Sequence, residues 1–365
     1  MSNRVAVTKP VVVRSVSGPA VTSIIGYRVP GSTNGDAAVR CAYLTNGAVL
    51  DGFSLTGGAT QYSGDSRGRQ SGGGVWCESP SAVLTNCVIT GSAAANQGGG
   101  GYGGTLINCV VAGNSAAYGG GVANCTVTNC TLTGNSARIR GGGAYSSTLI
   151  NSIVYYNQAP DGSNYLSSAL GWCCAVPPAE GQGNLTNAPL FLNTNDWTNL
   201  RLQTNSPCIN AGLSASAPAT SDLDGNARIY GGVVDIGAYE FQEATSIISY
   251  AWLQQYGLPT DGSADLADID GDGMSNWQEW RAGTDPTNAL SFLQMLAPTN
   301  DPSGVILSWQ SSTNRVYYLE RSLDLSAQPA FLPLQSDIMG QAVTTSYTDT
   351  NVVGAGPFFY RVGVQ

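Results

Sequence analysis

Three aspartates on alternate residues, Asp268, Asp270 and Asp272, open a stretch, DIDGDGMSNWQE, that Glu279 closes. A chain that curls around a cation uses this spacing. Alternate carboxylates point to one centre, Gly273 permits the sharp turn, the Met274 carbonyl faces inward, and the last glutamate can bind through both oxygens. A ring of roughly six to eight hard oxygens is what Ca²⁺ takes. We therefore expect Asp268, Asp270, Asp272, Met274, Asn276 and Glu279 to hold Ca²⁺, with Asp285 in the GTDP stretch belonging to a second, partial site. Residues 246–290 carry seven carboxylates and one arginine, so six of the nine net negative charges gather around this loop.

A second set of ionisable residues surrounds the insert Ala59–Ser71: Asp51, Asp65 and Glu78, with Arg67 and Arg69. Two carboxylates about 5–9.5 Å apart can hydrolyse a glycosidic bond, which makes these residues the candidates for catalysis. The chain has no histidine, so imidazole bases, Ser-His triads and His-ligated zinc are excluded. Trp76, Tyr102, Ala123 and Tyr145, three of them aromatic, follow the four glycine runs, and Tyr118 falls at a turn; repeated rings offer apolar surface to the C–H faces of sugars. Arg138 and Arg140, with Arg67 and Arg69, place four guanidiniums on one edge of a body in which only 11% of residues are charged. Such an edge suits the carboxylates or sulfates of an anionic polymer. A net charge of −9 with no basic face argues against nucleic acid.

These positions recur because the chain repeats itself. Copies of one unit start at Gly72, Gly98, Gly119 and Gly141, at periods of 26, 21 and 22 residues. Self-similarity at this length marks stacked units, none of which buries its apolar face alone. Each copy carries short β-type runs (AVLTNCVIT, TLINCVVAG, TVTNCTLTG, TLINSIVYY) and no helix-period stripe. The fold expected is all-β: a right-handed parallel β-helix with about three strands per coil, stacked at roughly 4.8 Å.

Aligned copies predict the ladders. Leu84, Leu106, Val127 and Leu149 share one interior position, and Ile89, Val111, Leu132 and Val154 another. Asn86, Asn108, Asn129 and Asn151 form a polar stack, Asn114, Asn135 and Asn157 a second, and Cys87, Cys109, Cys130 and Ser152 a third. Nine cysteines cannot all pair within the chain; a disulfide between neighbouring coils stays open. Upstream, Ala48–Gly58 aligns with Ala82–Ser92, and NRVAV, PVVVRS and AVTSII read as additional coils. The domains expected are a β-helix with its closing segment (1–245), a helical calcium-binding linker (246–290) and a small β-sandwich (291–365) whose strands alternate apolar and polar residues. No apolar run spans a membrane. The opening residues lack a signal-peptide core, so we expect an export leader and a first coil upstream of this sequence.

The glycine-rich coils, followed by SPCINAG and DLDGNARIYGGVVDIGAYEF, resemble secreted right-handed β-helix proteins of the pectate-lyase-like superfamily. Among these they look like the repeat-bearing surface proteins of Verrucomicrobia-type bacteria, often carrying a choice-of-anchor tail. The string from Asp268 resembles thrombospondin type 3 and dockerin-like calcium linkers, and the C-terminal strands look like a fibronectin-type module. The resemblance implies export, an extracellular or cell-surface location, and a scaffold shared by lyases, hydrolases and adhesins. Lyases of this kind use a lysine or arginine base, for which Lys9 and the arginines are candidates.

Three readings follow. The first is a monomeric, glycan-binding or adhesive β-helix with its polymer along an outer face. The alternative is a polysaccharide lyase or glycoside hydrolase with its site near residues 59–71. The third, an ice-binding or purely structural rod, rests on the short file Thr105, Thr126 and Thr148, which Val83 interrupts.

Overall fold

The computed structural model describes residues 1–195, 197, 199–352 and 356–365, which form two compact units, Met1–Gln254 and Gln255–Gln365. The first unit is a parallel β-helix built on three seven-stranded sheets. Sheet 1 takes Ser2–Val7, Val39–Leu44, Val75–Cys77, Gly101–Tyr102, Val122–Ala123, Ala144–Tyr145 and Tyr165–Leu166. Sheet 2 runs from Val12–Arg14 through Val49–Asp51 and Val83–Thr85 to Ala169–Gly171, and sheet 3 from Ser23–Ile25 to Cys174–Ala175. The three N-terminal runs therefore supply one coil, one strand to each sheet, where the sequence suggested several.

The expected apolar ladders are in register. Leu84, Leu106, Val127 and Leu149 are cross-strand neighbours, as are Ile89, Val111, Leu132 and Val154, and all are fully buried. Each such side chain contributes about 1.5–3 kcal/mol on burial, and in one isolated coil that surface would face water. The glycine runs follow from close packing between coils. A Cβ on Gly99 would lie 2.3 Å from the Gly120 carbonyl oxygen and 2.4 Å from that of Ser115, so only hydrogen fits.

The asparagine stacks do two different jobs. Asn86, Asn108, Asn129 and Asn151 turn the corner between sheets 2 and 3 at φ of 53°, 51°, 51° and 50°, a left-handed conformation that asparagine tolerates better than other side chains. Asn114, Asn135 and Asn157 bond lengthwise. The Asn135 carbonyl accepts the Asn114 backbone N–H and amide, both at 3.0 Å, and Asn157 does the same for Asn135. Asn164, outside the repeat alignment, ends this ladder by accepting from the Asn157 N–H at 3.0 Å. The nine cysteines are buried free thiols, so no inter-coil disulfide forms. Burial pushes Cys41 and Cys125 up to about 11 and Cys173 to about 12, which suppresses the reactive thiolate.

The closing segment does more than end the helix. Val110, Ala112 and Ile153 point outward from sheet 3 and share an apolar cluster with Phe191, Leu200, Cys208, Ile209, Ile236 and Tyr250. The Ala238 N–H donates to Thr131 Oγ1 at 3.1 Å, and the Gly237 N–H to the Asn151 carbonyl at 2.9 Å. An outer face this apolar needs a cover, and the segment lies along it. Helix α1 (Tyr250–Gln255) completes this cover through Tyr250. Sheet 1, sheet 2 and the turn between sheets 3 and 1 are left outside it. That turn holds a fourth, two-stranded parallel sheet, Ser115–Tyr118 with Ser136–Arg140.

The second unit holds the acidic loop, helix α2 (Asn276–Ala282) and two three-stranded antiparallel sheets. One sheet orders Thr299–Asp301, Gly304–Ser311 and Val343–Asp349; the other orders Leu332–Met339, Val316–Ser322 and Phe359–Val364. They enclose a small core of Leu307, Trp309, Tyr317 and Leu319. Mixed burial along these strands matches the alternating pattern of the sequence.

Candidate functional site

The outward positions of sheet 1 form a row across five coils: Tyr43, Trp76, Tyr102, Ala123 and Tyr145. Tyr43 and Trp76 stack at 5.5 Å with planes 7° apart, and Trp76 and Tyr102 at 6.4 Å and 12°. Both faces of the Trp76 ring are therefore occupied by neighbours, and its Nε1–H donates to the Arg67 carbonyl at 2.9 Å. Ala123 does not open a notch, because it is fully buried and Tyr118 reaches Tyr145 from the adjoining turn, ring centres 5.4 Å apart. Tyr43 belongs to this row but lies upstream of the aligned repeats, so the sequence reading missed it.

The three candidate carboxylates hydrogen-bond to different partners. Asp51 is buried, with Arg14 Nε at 2.5 Å and the Asn86 amide at 2.9 Å. The coil of Asp51 has Gly52 at the corner where later coils have asparagine, and Asp51 serves the Asn86 amide that would otherwise lack a partner on that side. Asp65 accepts the Gly68 N–H at 2.5 Å and closes its own turn inside the insert. Glu78 is exposed and accepts from the Tyr43 hydroxyl, from Thr45 Oγ1 at 2.6 Å and from the Asn46 N–H at 3.2 Å. The Thr45 and Tyr43 hydrogen bonds hold its carboxyl below the usual range. A carboxylate kept ionised by three donors is a poor general acid.

The arginines differ in their freedom. Gln97, Tyr118, Arg140 and Asp161 are in register along the turn edge, and Arg140 Nε meets Asp161 Oδ2 at 3.0 Å. Arg138 donates from Nη2 to the Ala95 carbonyl at 2.8 Å. The Arg69 stem lies across Gly64, where a Cβ would be 2.6 Å from its Cδ. Arg67 is exposed on the insert. A further arginine, not singled out in the sequence, holds the insert to its coil. Arg40 is buried and donates to the carbonyls of Gly72 (2.6 Å), Ser71 (2.7 Å) and Gly68 (2.9 Å) and to Asn3 Oδ1 (3.0 Å). Burial pulls its guanidinium down to about 10. Lys9 sits in the turn between Ser2–Val7 and Val12–Arg14 of the first coil.

The acidic loop of the second unit is built differently. The ligand oxygens of Asp268, Asp270 and Asp272 lie within 4.8 Å of one another. Asp268 accepts the N–H groups of Gly271 (2.8 Å) and Gly273 (2.9 Å), and Gly271 and Gly273 take φ of 79° and 95° to make the turn. Ser275 caps α2 through a reciprocal pair with Gln278, which fixes Glu279 in the first turn behind the loop. Glu279 and Asn276 are fully buried. Asp270 Oδ2, Asp272 Oδ2, Asn276 Oδ1 and Glu279 Oε2 are buried without a hydrogen-bond partner. Burial first, and then the charges of Asp270 and Asp272, push Glu279 up to about 7. Buried oxygens left unsatisfied are costly; four of them around one loop fit a hard cation. Asp285 turns instead to its own segment, accepting from Thr287 Oγ1 at 2.7 Å.

One buried polar group lies in the closing segment, inside the stretch DLDGNARIYGGVVDIGAYEF. Glu240 meets Arg228 at 3.1 Å and accepts the N–H groups of Tyr230 and Asp235 at 3.0 Å. Asp235 accepts from the N–H groups of Asn210 and Phe241, both at 2.7 Å, and Asp222 from those of Asp224, Asn226 and Glu240. These acids tie separate loops of the cover together. Burial pushes Asp235 to about 7 and Glu240 to about 9.

The fold and the two sites define a parallel β-helix repeat protein with an appended acidic loop and small β-sandwich. No family model and no curated protein matches the chain. Among the described residues no helix is long and apolar enough to cross a membrane.

Proposed function

We propose that the protein is a non-catalytic, polysaccharide-binding or adhesive β-helix. In this reading it engages a polymer across the aromatic row of sheet 1 and the neighbouring arginine edge, and it works outside the cell or at its surface. The observation that carries the reading is the commitment of the coil carboxylates. Asp51, Asp65 and Glu78 each serve separate local partners, whereas Tyr102, Tyr118, Tyr145 and Arg138 keep surface on the uncovered side. Buried thiols with raised pKa values are compatible with an oxidising compartment. The 268–279 loop would hold Ca²⁺ through Asp268, Asp270, Asp272, the Met274 carbonyl and Glu279, with Asn276 behind them. The ion would neutralise the carboxylates and set α2 against the small sandwich, a spacer or appendage in this scheme.

The test joins binding to turnover. Calcium-loaded protein meets a panel of neutral, uronic-acid and sulfated polysaccharides, with affinity electrophoresis for binding and assays for unsaturated products and new reducing ends. Retardation by at least one polymer, weakened in a Tyr102→Ala, Tyr145→Ala double variant, with no cleavage, is the expected result. Unsaturated or reducing ends from any polymer would overturn the non-catalytic reading.

A further inference from the structure

The turn between sheets 3 and 1 holds a cleft of ≈ 230 Å³ lined by Arg28, Thr33, Asn34, Tyr62, Ala94, Ser115, Ala116, Ser136 and Arg138. Its position follows from two departures from the plain coil: the loop around Thr33 in the first coil and the insert that carries Tyr62. Both are pinned. The Tyr62 hydroxyl donates to the Ser32 carbonyl at 2.6 Å. The buried Asn34 amide donates to Thr60 Oγ1 at 3.0 Å and to the Ala93 carbonyl at 3.2 Å. Thr33 sits at φ 67°, a conformation a β-branched residue takes only under constraint.

The lining has a definite chemistry. Arg28 and Arg138 are both exposed, and no aspartate or glutamate is among the described lining residues. Arg138 is aimed by its bond to the Ala95 carbonyl, which leaves further N–H groups of the fork to donate. Thr33, Ser115 and Ser136, each with a hydroxyl, line the cleft together with the small Ala94 and Ala116, and Tyr62, also in the lining, is 55% exposed. Arg140 on the same edge already has Asp161; Arg28 and Arg138 have no carboxylate partner among the described residues.

We propose that this cleft binds one acidic sugar residue of a polysaccharide, its carboxylate or sulfate held by Arg28 and Arg138 and its ring packed beside Tyr62. The proposal rests on the glycan-binding reading above and names the substrate class, an anionic polymer. The volume is below the roughly 300 Å³ at which pockets for drug-sized ligands begin, so it accommodates one ring rather than an oligomer. Planar guanidiniums suit the two-oxygen edge of either anion, and the hydroxyls complete recognition of the ring.

The test uses the full chain with three probes: polygalacturonate for carboxylate, dextran sulfate for sulfate, and uncharged dextran. Binding of each is measured by affinity electrophoresis for the wild type, Arg28→Gln/Arg138→Gln and, as a charge control in the second unit, Arg361→Gln, with thermal melts to verify folding. The expected result is a loss of about tenfold or more for an acidic polymer in the double variant, with Arg361→Gln close to wild type. The acidic polymer that shows this loss identifies the anion. Equal losses in Arg361→Gln would reduce the effect to overall charge and overturn the cleft. Wild-type-like binding by the double variant would overturn the cleft while leaving the glycan-binding reading intact. Preference for uncharged dextran would also overturn the cleft and keep the broader reading. Failure of the wild type to bind any polymer, here and in the wider panel, would end both.

Discussion

The coils and the acidic loop both gather carboxylates, and they treat them in opposite ways. In the coils the three candidate acids are consumed locally: Asp51 by Arg14 and Asn86, Asp65 by its own turn, Glu78 by Tyr43, Thr45 and Asn46. In the loop, Asp270, Asp272 and Glu279 each keep a buried oxygen with no partner. Proximity to an insert made the first group look chemical in the sequence, but partners distinguish the two better than position does. An acid whose oxygens are already bonded braces the fold; one left buried and unbonded signals a missing positive charge.

Calcium is the strongest way to break that contrast. Removal of the ion with a chelator is expected to lower the melting temperature of the second unit by more than about 10 °C and leave the β-helix transition in place. At a free concentration about a thousandfold above Kd, a bound ligand contributes roughly 4 kcal/mol, a large share of the stability of a unit this small. Glu279→Gln should reproduce the loss in calcium and make the chelator nearly without effect. Scanning calorimetry with and without EDTA decides it, and a second unit indifferent to both changes would rank the loop with the coil acids.

The closing segment is an intermediate case: three acids fully bonded but served by one buried cation, Arg228. Burial raises the folded-state pKa of Asp235 to about 7 and of Glu240 to about 9. Unfolded, both acids ionise near pH 4, so between that value and the folded ones the native state holds more protons. Stability is then greatest at low pH and falls as pH rises through 7 towards 9. The β-helix transition is expected several degrees lower at pH 9 than at pH 6, and Glu240→Gln should flatten that slope. A melting temperature that stays level over this range would show the acids ionised throughout and fully matched by their N–H donors.

How much of this was legible follows from what repeats. Leu106 and Asn135 have counterparts about one coil away, so alignment alone placed them in the core and in the polar ladder, and the register agrees. Glycine runs, ladders and the β-helix itself are consequences of stacking, and stacking writes itself periodically. Non-repeating contacts left no such trace. Nothing in the spacing announced that Arg40 would reach across to the insert carbonyls, that Asn164 would end a ladder, or that the segment after residue 185 would lie along sheet 3. The aromatic row was legible as positions but not as geometry, since plane-to-plane stacking of Tyr43, Trp76 and Tyr102 depends on rotamers that sequence does not encode separately. The acidic loop was legible for another reason: its spacing is local, and a twelve-residue turn carries its own geometry.

The smallest expected effect separates the coil acids from one another. Asp51→Ala removes a buried acceptor and leaves the Asn86 amide without it, a loss of about 1–3 kcal/mol. In a unit of this size that lowers the melting temperature by about 2–12 °C. Arg14 contributes little to the change because its side chain is 71% exposed, and water replaces the ion pair. Glu78→Gln should leave the melt unchanged, since its carboxylate is solvated and its three donors can turn to water. Neither substitution is expected to alter polysaccharide binding beyond what loss of folded protein explains. A Glu78→Gln variant that melts like wild type yet no longer binds or cleaves a polymer would give Glu78 a direct part in the site, and would put the coil acids back among the working residues.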